Sequence, residues 1–319
     1  MPNSSSAGEF LLLAFADRWE LQLLHFWLFL GIYLTALLGN GLIVTAVACE
    51  HHLHTPMFFF LLNLTLLDLG DISTVVPKSM ANSLWDSRAI SYSGCVAQVF
   101  FYVFLSGAEF SILMVMSYDR YVAICKPLHY ETLLSSKTCA SMAAAAWGCG
   151  FLSAVLHTAS TFSLPLCPSN AVNQFFCKIP QILKLSHLHS FREIWATTAV
   201  VSLASAFFVF ILFSYMWIFR AVLRMPSEQG RHKAFSTCLP HLAVLSLFLS
   251  TAFFAYLKPP SLSSPVSDPA VAVLYSVLPP ALNPLIYSMR NKELKAAVRK
   301  VISQTFMSIY KFTLSYSHL

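Results

Sequence analysis

The sequence predicts an all-α integral membrane protein built as a bundle of seven membrane-spanning helices. Hydrophobic residues make up 57% of the chain and charged residues only 11%, and the mean hydropathy is +0.65. A soluble domain usually carries about 25% charged residues. The apolar residues fall into seven separate runs. A helix needs about 20 apolar residues to cross a bilayer core, so each run is long enough to span a membrane.

The seven runs define predicted helices 1 to 7, at residues 24–49, 57–80, 93–124, 138–160, 194–220, 234–257 and 269–289. Pro and Gly inside these runs do not exclude helices, because neighbouring segments in a membrane bundle satisfy the freed backbone groups. On this division the chain has an extracellular N-terminus (1–23), a seven-helix domain (24–289) and a cytoplasmic tail (290–319).

The distribution of Lys and Arg predicts the orientation in the membrane. With the N-terminus outside the cell, 13 of the 20 Lys and Arg residues fall on the inner side and 7 on the outer side. The positive-inside rule favours this arrangement. Asn3 begins an Asn-Ser-Ser triplet that fits the N-glycosylation pattern of extracellular segments. We interpret the net charge of +6 as basic inner loops facing the anionic lipid bilayer, not as nucleic-acid binding.

An acid–base pair, Asp119-Arg120, lies at the point where the third apolar run ends. From Ala89 to Tyr118 the only charged residue is Glu109. A lone pair of this kind has a simple structural explanation, because an Arg at a helix end reaches toward the lipid headgroups and an adjacent Asp neutralises it. The motifs on the other helices favour a functional role instead.

Five motifs on different helices resemble those of the rhodopsin-like G-protein-coupled receptors: Asn40 in LLGNGLI, Asp68 in LNLTLLDLGD, Asp119-Arg120-Tyr121, Tyr215 in SYMWI, and Asn283, Pro284 and Tyr287 in PPALNPLIYSMRN. Four longer blocks narrow the resemblance to the vertebrate olfactory receptors. They are LHTPMFFFLLNL, MSYDRYVAICKPLHY, KAFSTCLPHLAVLSLF and PPALNPLIYSMRNKELKAA. The resemblance extends from about residue 11 to residue 300.

The resemblance implies an odorant receptor, not an enzyme, that raises cAMP through a stimulatory, olfactory-type heterotrimeric G protein. It implies a plasma-membrane location in olfactory neuron cilia, and a short amphipathic helix in NKELKAAVRK after helix 7. Asp119 would hold Arg120 at rest, and activation would free Arg120 toward Tyr215 and the G protein. The implied activation residues are Asp119, Arg120, Tyr121, Tyr215, Lys233, Asn283, Pro284 and Tyr287. A rhodopsin-like receptor for a lipid or another nonolfactory small molecule is the alternative.

Two acids lie deep in the predicted bundle. Glu109 on helix 3 and Asp68 on helix 2 are about 16 and 18 Å from the inner ends of their segments, at ~1.5 Å per residue. An ionised carboxylate at this depth costs roughly 2.5–3.5 kcal/mol. Two explanations stay open. Either both acids are protonated and hydrogen-bonded with Asn40 and Asn283, or they hold an allosteric sodium ion. No other metal and no cofactor is predicted.

Cysteine positions and the resemblance together imply one disulfide. Cys95 lies at the outer end of helix 3, where disulfides persist, and Cys177 matches the loop cysteine to which the family ties it. The family usually pairs a residue like Cys167 with a second loop cysteine. His187 occupies that second position here, so Cys167 is an odd thiol.

The resemblance also implies an odorant pocket among helices 3, 5, 6 and 7. No charged residue lines it, so the predicted ligand is a small, neutral, mostly apolar molecule oriented by a few polar groups. Ordinary helix packing is the alternative explanation for each position. The predicted pocket residues are Tyr102, Val103, Ser106, Gly107, Phe110, Leu203, Phe207, Leu249, Ala252, Phe253, Tyr256, Val273 and Ser276. Among them Ser106, Tyr256 and Ser276 are the candidate hydrogen-bond partners.

Overall fold

A computed structural model describes most of the backbone. The described residues are 9–12, 18–85, 88–163, 171–172, 176–177, 179, 182, 191–257 and 267–316. Within these ranges the side chains of 9, 171–172, 191–194, 196, 251–257, 267–275, 289–290, 309 and 311–316 are not described.

Seven long helices in the described part of the chain correspond to the seven predicted runs, and each begins and ends within six residues of its predicted bounds. They are α1 (Trp19–Cys49), α2 (Pro56–Trp85), α3 (Tyr92–Cys125), α4 (Ser136–Phe162), α5 (Phe191–Leu223), α6 (Glu228–Leu257) and α7 (Ser267–Arg290). An eighth helix, α8 (Lys292–Tyr316), follows directly. The connections contain 3-10 turns at His51–Leu53 and Pro127–His129 and a one-turn helix at Tyr130–Leu133.

Six of the helices, α1 to α6, are long and apolar enough to cross a membrane when the described residues are considered. Helix α7 is not among these six, because its side chains are described over only part of its length. It nevertheless packs against α1, α2 and α6. Because these neighbours shield its polar residues, α7 completes the bundle as the seventh helix.

Helix α3 is the central helix of the bundle. It contacts α2, α4, α5 and α6, and its buried side chains face several of these neighbours at once. The hydroxyl of Ser91 caps its first turn by accepting a hydrogen bond from the Gly94 N–H at 3.1 Å. Because α3 is enclosed on several sides, its polar side chains Gln98, Glu109 and Ser111 are buried inside the protein and not exposed to lipid.

Helices α3 and α4 cross with their backbones in direct contact. A Cβ atom added at Gly150 would lie 2.5 Å from the carbonyl oxygen of Phe104 and 2.6 Å from the backbone nitrogen of Ala108. Close crossings of this kind are typical of membrane helices with small residues at the interface. Beside the crossing, the Trp147 indole N–H donates to Asn63 Oδ1 at 3.0 Å and ties α4 to α2.

A three-stranded sheet joins three distant segments at the end of the bundle where α3 begins. Strand β1 (Glu9–Leu12) lies between β2 (Ala89–Ser91) and β3 (Ala171–Val172), antiparallel to β2 and parallel to β3. Phe10 is opposite Ile90 in the first pair. The sequence analysis did not predict these strands, because two to four residues are too few to show a two-residue periodicity.

The sheet covers a small hydrophobic cluster that contains the predicted disulfide. Cys95 and Cys177 are bonded, with their Cα atoms 5.5 Å apart, which confirms the predicted pairing. Phe10 and Leu12 from β1 pack against this disulfide. The Cys177 N–H donates to Gln98 Oε1 at 2.9 Å, which fixes the loop cysteine over α3. The N-terminal strand is therefore part of the fold and not a loose extension.

Replacing Phe10 with Ala should lower the unfolding temperature and the amount of protein at the cell surface. Phe10 is 4% exposed, so the change removes about 2 kcal/mol of apolar burial. Leu11 is 54% exposed on the same strand, so Leu11→Ala is the matched control. Thermal unfolding of the purified protein and surface labelling would measure both. Equal behaviour of the two variants would show that burial of the Phe10 side chain contributes nothing measurable to stability.

Helix α8 is longer than the short helix predicted from NKELKAAVRK. No Pro or Gly occurs from residue 292 to 316, so nothing in this segment breaks the helix. Leu294, Ala297 and Val301 are buried on one face at helical spacing. Lys300 Nζ lies 2.7 Å from Glu50 Oε1 at the end of α1, and this hydrogen bond lowers the pKa of Glu50. These contacts hold the first half of α8 against the bundle.

Candidate functional site

The predicted acid–base pair forms a buried ion pair at the end of α3. Arg120 Nε donates to Asp119 Oδ2 at 2.8 Å, and Arg120 Nη2 also donates to Oδ2. The Tyr130 hydroxyl donates to Asp119 Oδ1 at 2.7 Å. Asp119 is 1% exposed and Arg120 is 9% exposed. Both carboxylate oxygens are therefore occupied, and the guanidinium is held by its own neighbour in the chain. We call this three-residue arrangement the latch.

Tyr130 is a member of the latch that the sequence analysis did not identify. It lies in the one-turn helix at Tyr130–Leu133, in the family block that contains Asp119 and Arg120. Burial and the Asp119 carboxylate raise the pKa of Tyr130, so its hydroxyl keeps its proton and remains a donor. The spacing of 11 residues crosses a turn of the chain, so helical periodicity could not have predicted this contact.

A second polar contact links three helices close to the latch. The Tyr215 hydroxyl on α5 is hydrogen-bonded to His241 Nδ1 on α6. His241 Nε2 lies 3.0 Å from the carbonyl oxygen of Leu113 on α3. A carbonyl can only accept, so Nε2 carries the proton and Nδ1 accepts from Tyr215. The sequence analysis identified Tyr215 and missed His241. A buried imidazole in the apolar block STCLPHLAV was the available signal.

The remaining activation residues lie at the same end of the bundle in different environments. Tyr287 is buried, with its hydroxyl 4.0 Å from the sulfur of Met116. Pro284 packs closely against Gly39 of α1. Tyr121 is half-buried beside Lys126, and Lys233 is exposed at the start of α6. The structure therefore places two of the predicted residues in helix packing and leaves Lys233 accessible.

The two predicted deep acids are brought together by one amide. Asn283 Nδ2 on α7 lies 3.1 and 3.2 Å from the two oxygens of Asp68 and 3.5 Å from Glu109 Oε1. Asp68 is fully buried and Glu109 is 2% exposed. Asn40 uses its amide nitrogen differently, donating to the carbonyl oxygens of Ala36 and Pro280 at 3.0 and 2.9 Å. Asn40 therefore joins α1 to α7, and the structure does not bring its donors to the acids.

Asp71 is a third buried acid that the sequence analysis did not identify. It lies one helical turn after Asp68 on α2 and is 5% exposed. Among the described residues, no group of three or more His, Cys, Asp or Glu side chains converges as a metal site. The buried Oδ1 atom of Asn283 has no hydrogen-bond partner in the described part of the chain. The Asn283 amide nitrogen, and not this oxygen, faces the Asp68 and Glu109 carboxylates.

Several predicted pocket residues lie near the end of α3 that carries the disulfide. The Tyr102 ring is 5.7 Å from the Phe176 ring, next to Cys177. Val103 packs against the disulfide cluster, and Ser106 is half-buried. Gly107 instead faces α4, because a Cβ there would lie 3.3 Å from the Cα of Gly150. Gly107 therefore has a packing role in the α3–α4 crossing.

An aromatic contact deeper in the bundle joins three of the helices that were predicted to form the pocket. The Phe110 ring on α3 stacks on Phe248 of α6, with centroids 5.6 Å apart, and lies 6.2 Å from Phe207 of α5. Phe248 was missed by the sequence analysis, although it precedes the predicted residue Leu249. Leu249 is half-buried against the main core, and Leu203 is 37% exposed. This contact connects α6 to the helix that carries the latch.

Other predicted pocket positions are resolved only in part. Ser276 on α7 is fully buried. Ala252, Phe253, Tyr256 and Val273 belong to helices whose backbone is described, but their side chains lie outside the described residues, as do Asn3 and Cys167.

Comparison with known proteins decides the family. The family model described as olfactory receptor matches residues 29–305 of this chain. The chain belongs to the olfactory receptor family. Human olfactory receptor 14C36 is 47% identical over 97% of this chain and 99% of its own length. Human olfactory receptor 14J1 is 49% identical over 95% of each chain, and human olfactory receptor 14I1 is 48% identical over 97% of this chain and 99% of its own.

Family membership confirms the resemblance drawn from the sequence motifs. An olfactory receptor is a rhodopsin-like, seven-helix G-protein-coupled receptor in a membrane and is not an enzyme. The family implies a small-molecule odorant ligand and coupling to a G protein. In this olfactory receptor the latch and the Tyr215–His241 contact lie at one end of the bundle. The disulfide and the sheet lie at the other end.

Proposed function

We propose that this olfactory receptor binds a small, neutral, mostly apolar odorant within its bundle and activates a stimulatory heterotrimeric G protein, which raises cAMP. The main observation that supports the proposal is the closed latch. A buried Arg120, held by Asp119 and Tyr130 at one end of the central helix, is a group that a conformational change can release. On this proposal the N-terminus is extracellular and the latch faces the cytosol of olfactory neuron cilia.

The aromatic contact among Phe110, Phe207 and Phe248 supports a route from ligand to latch. A ligand packed against these rings changes the contact between α3 and α6, because Phe110 and Phe248 are stacked face to face. Tyr102 and Ser106 lie on α3, one to two turns from Phe110 toward the disulfide end. Of these two, Ser106 is one of the three candidate hydrogen-bond partners for a polar atom of the odorant, with Tyr256 and Ser276.

The Tyr215–His241 contact explains how movement of α6 would reach Arg120. His241 joins α6 to α3 through the Leu113 carbonyl and to α5 through Tyr215. When α6 moves outward, both hydrogen bonds must break. The Tyr215 hydroxyl then becomes available to Arg120, which stabilises the released guanidinium. A ligand that shifts α6 would therefore change the hydrogen-bond partners of Arg120 on α3.

His241→Phe should raise agonist-free cAMP several-fold. Phenylalanine fills much of the same volume but cannot bond Tyr215 or the Leu113 carbonyl, so α6 is held less firmly in this arrangement. His232 lies on the same helix and is exposed, which makes His232→Phe the matched control. A cAMP reporter normalised to surface receptor would measure both variants. Unchanged basal signalling in His241→Phe would contradict the proposed restraint of α6.

A screen of volatile compounds tests the ligand and the G protein together. Cells that express the receptor and a cAMP reporter should respond to a subset of neutral, mostly apolar odorants. Amines and carboxylates should be inactive, because no charged residue lines the predicted pocket. The response should disappear in cells that lack the stimulatory α subunit and return when that subunit is supplied. Signalling that persists without this subunit would overturn the proposed coupling.

We also propose a sodium ion at Asp68, Glu109 and Asn283. Asp68 and Glu109 offer four carboxylate oxygens on two helices, and oxygen ligands suit hard cations. Rotation of the Asn283 amide, which now donates to both acids, would bring its buried Oδ1 toward the ion. Replacing sodium by choline in membrane preparations should raise basal nucleotide exchange. Glu109→Gln should remove this sodium dependence, because the site then lacks one charge. If both acids are instead protonated and no ion binds, replacing sodium should leave basal nucleotide exchange unchanged in the wild-type receptor and in Glu109→Gln.

A further inference from the structure

A groove of about 340 Å³ lies between α3, α4 and α5, and of its lining residues only Phe207 also belongs to the predicted odorant pocket. Met114 and Tyr118 of α3 form part of its floor. Ala145 and Cys149 line it from α4, and Phe207 and Phe210 from α5. The groove is the size of an ordinary ligand pocket, although it is open along one side. Its floor is the central helix of the bundle.

The chemistry of the lining selects an apolar occupant. Nearly the whole lining is hydrocarbon, sulfur or aromatic carbon. The one aliphatic hydroxyl in it belongs to Ser111, which donates to the carbonyl oxygen of Gly107 at 2.8 Å. None of the described side chains that line the groove is charged. An ionised or strongly polar ligand would therefore lose its hydration without finding new partners.

The position of the groove identifies the source of that occupant. All three helices are membrane spans by length and composition. Phe210, which lines the groove, is itself 41% exposed, and elsewhere on α4 and α5 the apolar residues Phe151, Leu152 and Phe213 are 53%, 59% and 54% exposed. In a membrane protein such a surface is the interface with lipid hydrocarbon. The open side of the groove therefore faces lipid chains.

We propose that this groove binds one acyl chain of a membrane phospholipid at a defined site. The chain enters between α4 and α5 and packs against Met114 and Tyr118. It is distinguished from the surrounding lipid because three helices enclose it, so it makes dispersion contacts on several sides at once. This inference requires only that the helices span a membrane and does not depend on the odorant or the G protein.

The groove reaches the residue next to the latch. Tyr118 directly precedes Asp119, and its ring lies 6.4 Å from Phe210 and 6.5 Å from Tyr121. From Ser111 to Arg120 is nine residues, or about 14 Å along the helix axis. A bound chain therefore lies in the half of the membrane that contains the latch and contacts its neighbour in the sequence.

Photo-crosslinking of the full-length receptor in nanodiscs tests the site. The probe is phosphatidylcholine with a diazirine in one acyl chain, mixed into unlabelled phosphatidylcholine. We expect adducts to concentrate on the peptides that line the groove, including Met142–Cys149 and Phe207–Phe210. Adducts on the exposed Phe151–Leu152 surface should be several-fold fewer, because lipid there exchanges freely.

A pair of variants separates the groove from ordinary lipid contact. Ala145→Phe places a ring in the groove from an exposed position and should reduce the groove adducts several-fold. Ala144 is also exposed on α4 but does not line the groove, so Ala144→Phe should leave the adducts unchanged.

Two results would overturn the proposal. Adducts spread evenly over all exposed apolar surfaces of the wild-type receptor would mean that only loosely associated lipid is present. Dimers formed by a bifunctional maleimide through Cys149 of two copies would mean that a second receptor covers the groove. Both measurements use the wild-type chain, so they remain decisive if Ala145→Phe fails to fold.

Discussion

Arg120→Ala is expected to abolish agonist-stimulated cAMP while the receptor still reaches the cell surface. The guanidinium is the group that the latch holds and that the G protein engages in the proposed mechanism. Alanine removes it and leaves the Asp119 carboxylate with the Tyr130 hydroxyl as a hydrogen-bond partner. This remaining hydrogen bond limits the loss of stability. The measurement is a cAMP dose response with surface receptor counted by an N-terminal epitope.

The control for this loss is a second arginine that takes no part in the latch. Arg224 is exposed just after α5, so Arg224→Ala should leave the dose response unchanged. Asp119→Asn breaks the same ion pair from the other side, and its expected effect on cAMP is the opposite. It removes the charge that restrains Arg120, so basal cAMP should rise. A well-expressed Arg120→Ala receptor that signals normally would contradict the role of the latch.

Gly150→Ala is expected to prevent most of the receptor from reaching the cell surface. The new Cβ would lie 2.5 Å from the Phe104 carbonyl oxygen and 2.6 Å from the Ala108 backbone nitrogen. Backbone atoms cannot move aside by changing rotamer, so α3 and α4 must separate by about 1 Å to reach a normal contact of about 3.5 Å. Overpacking of this kind costs about 3 kcal/mol. Separation would also loosen the Gly107 contact on α3.

Gly148→Ala is the matched control on the same helix. No atom lies within 4 Å of a Cβ added at Gly148, so the substitution meets open space. Alanine also favours a helix over glycine by about 1 kcal/mol in water, so this variant should fold at least as well as wild type. Surface labelling and the unfolding temperature of detergent-purified receptor compare the two. If Gly150→Ala matches Gly148→Ala in both, the crossing has enough freedom to absorb a methyl group.

The membrane-spanning helices of this receptor and the charged residues within them were predictable from its sequence. The seven helices follow from apolar runs of about 20 residues, because the thickness of the bilayer sets that length. The Asp119–Arg120 pair was identifiable because charge is rare in this chain and an adjacent pair at a helix end is conspicuous. Asp68 and Glu109 were identifiable for the same reason. Asn283 was assigned to the site by resemblance, and the structure places its amide between the two acids.

Contacts between segments far apart in the chain were not predictable in the same way. The three-stranded sheet requires residues near 10, 90 and 171 to meet, and none of the three strands has a recognisable pattern alone. In the sequence His241 is only one polar residue in an apolar run, and its role appears only from its contacts with Tyr215 and Leu113. The full length of α8 was missed because the family block ends before the helix does.

The sequence by itself determined that the chain forms seven membrane-spanning helices, and where its charges interrupt the apolar spans. Both properties depend on local composition, because each segment that crosses the lipid must be apolar. Only the tertiary structure decided that Gly150 must be glycine, that Tyr130 holds Asp119, and that a groove opens between α3, α4 and α5. These properties depend on distances of a few Å between helices. Such distances arise from the packing of the whole bundle and are not encoded in any single segment.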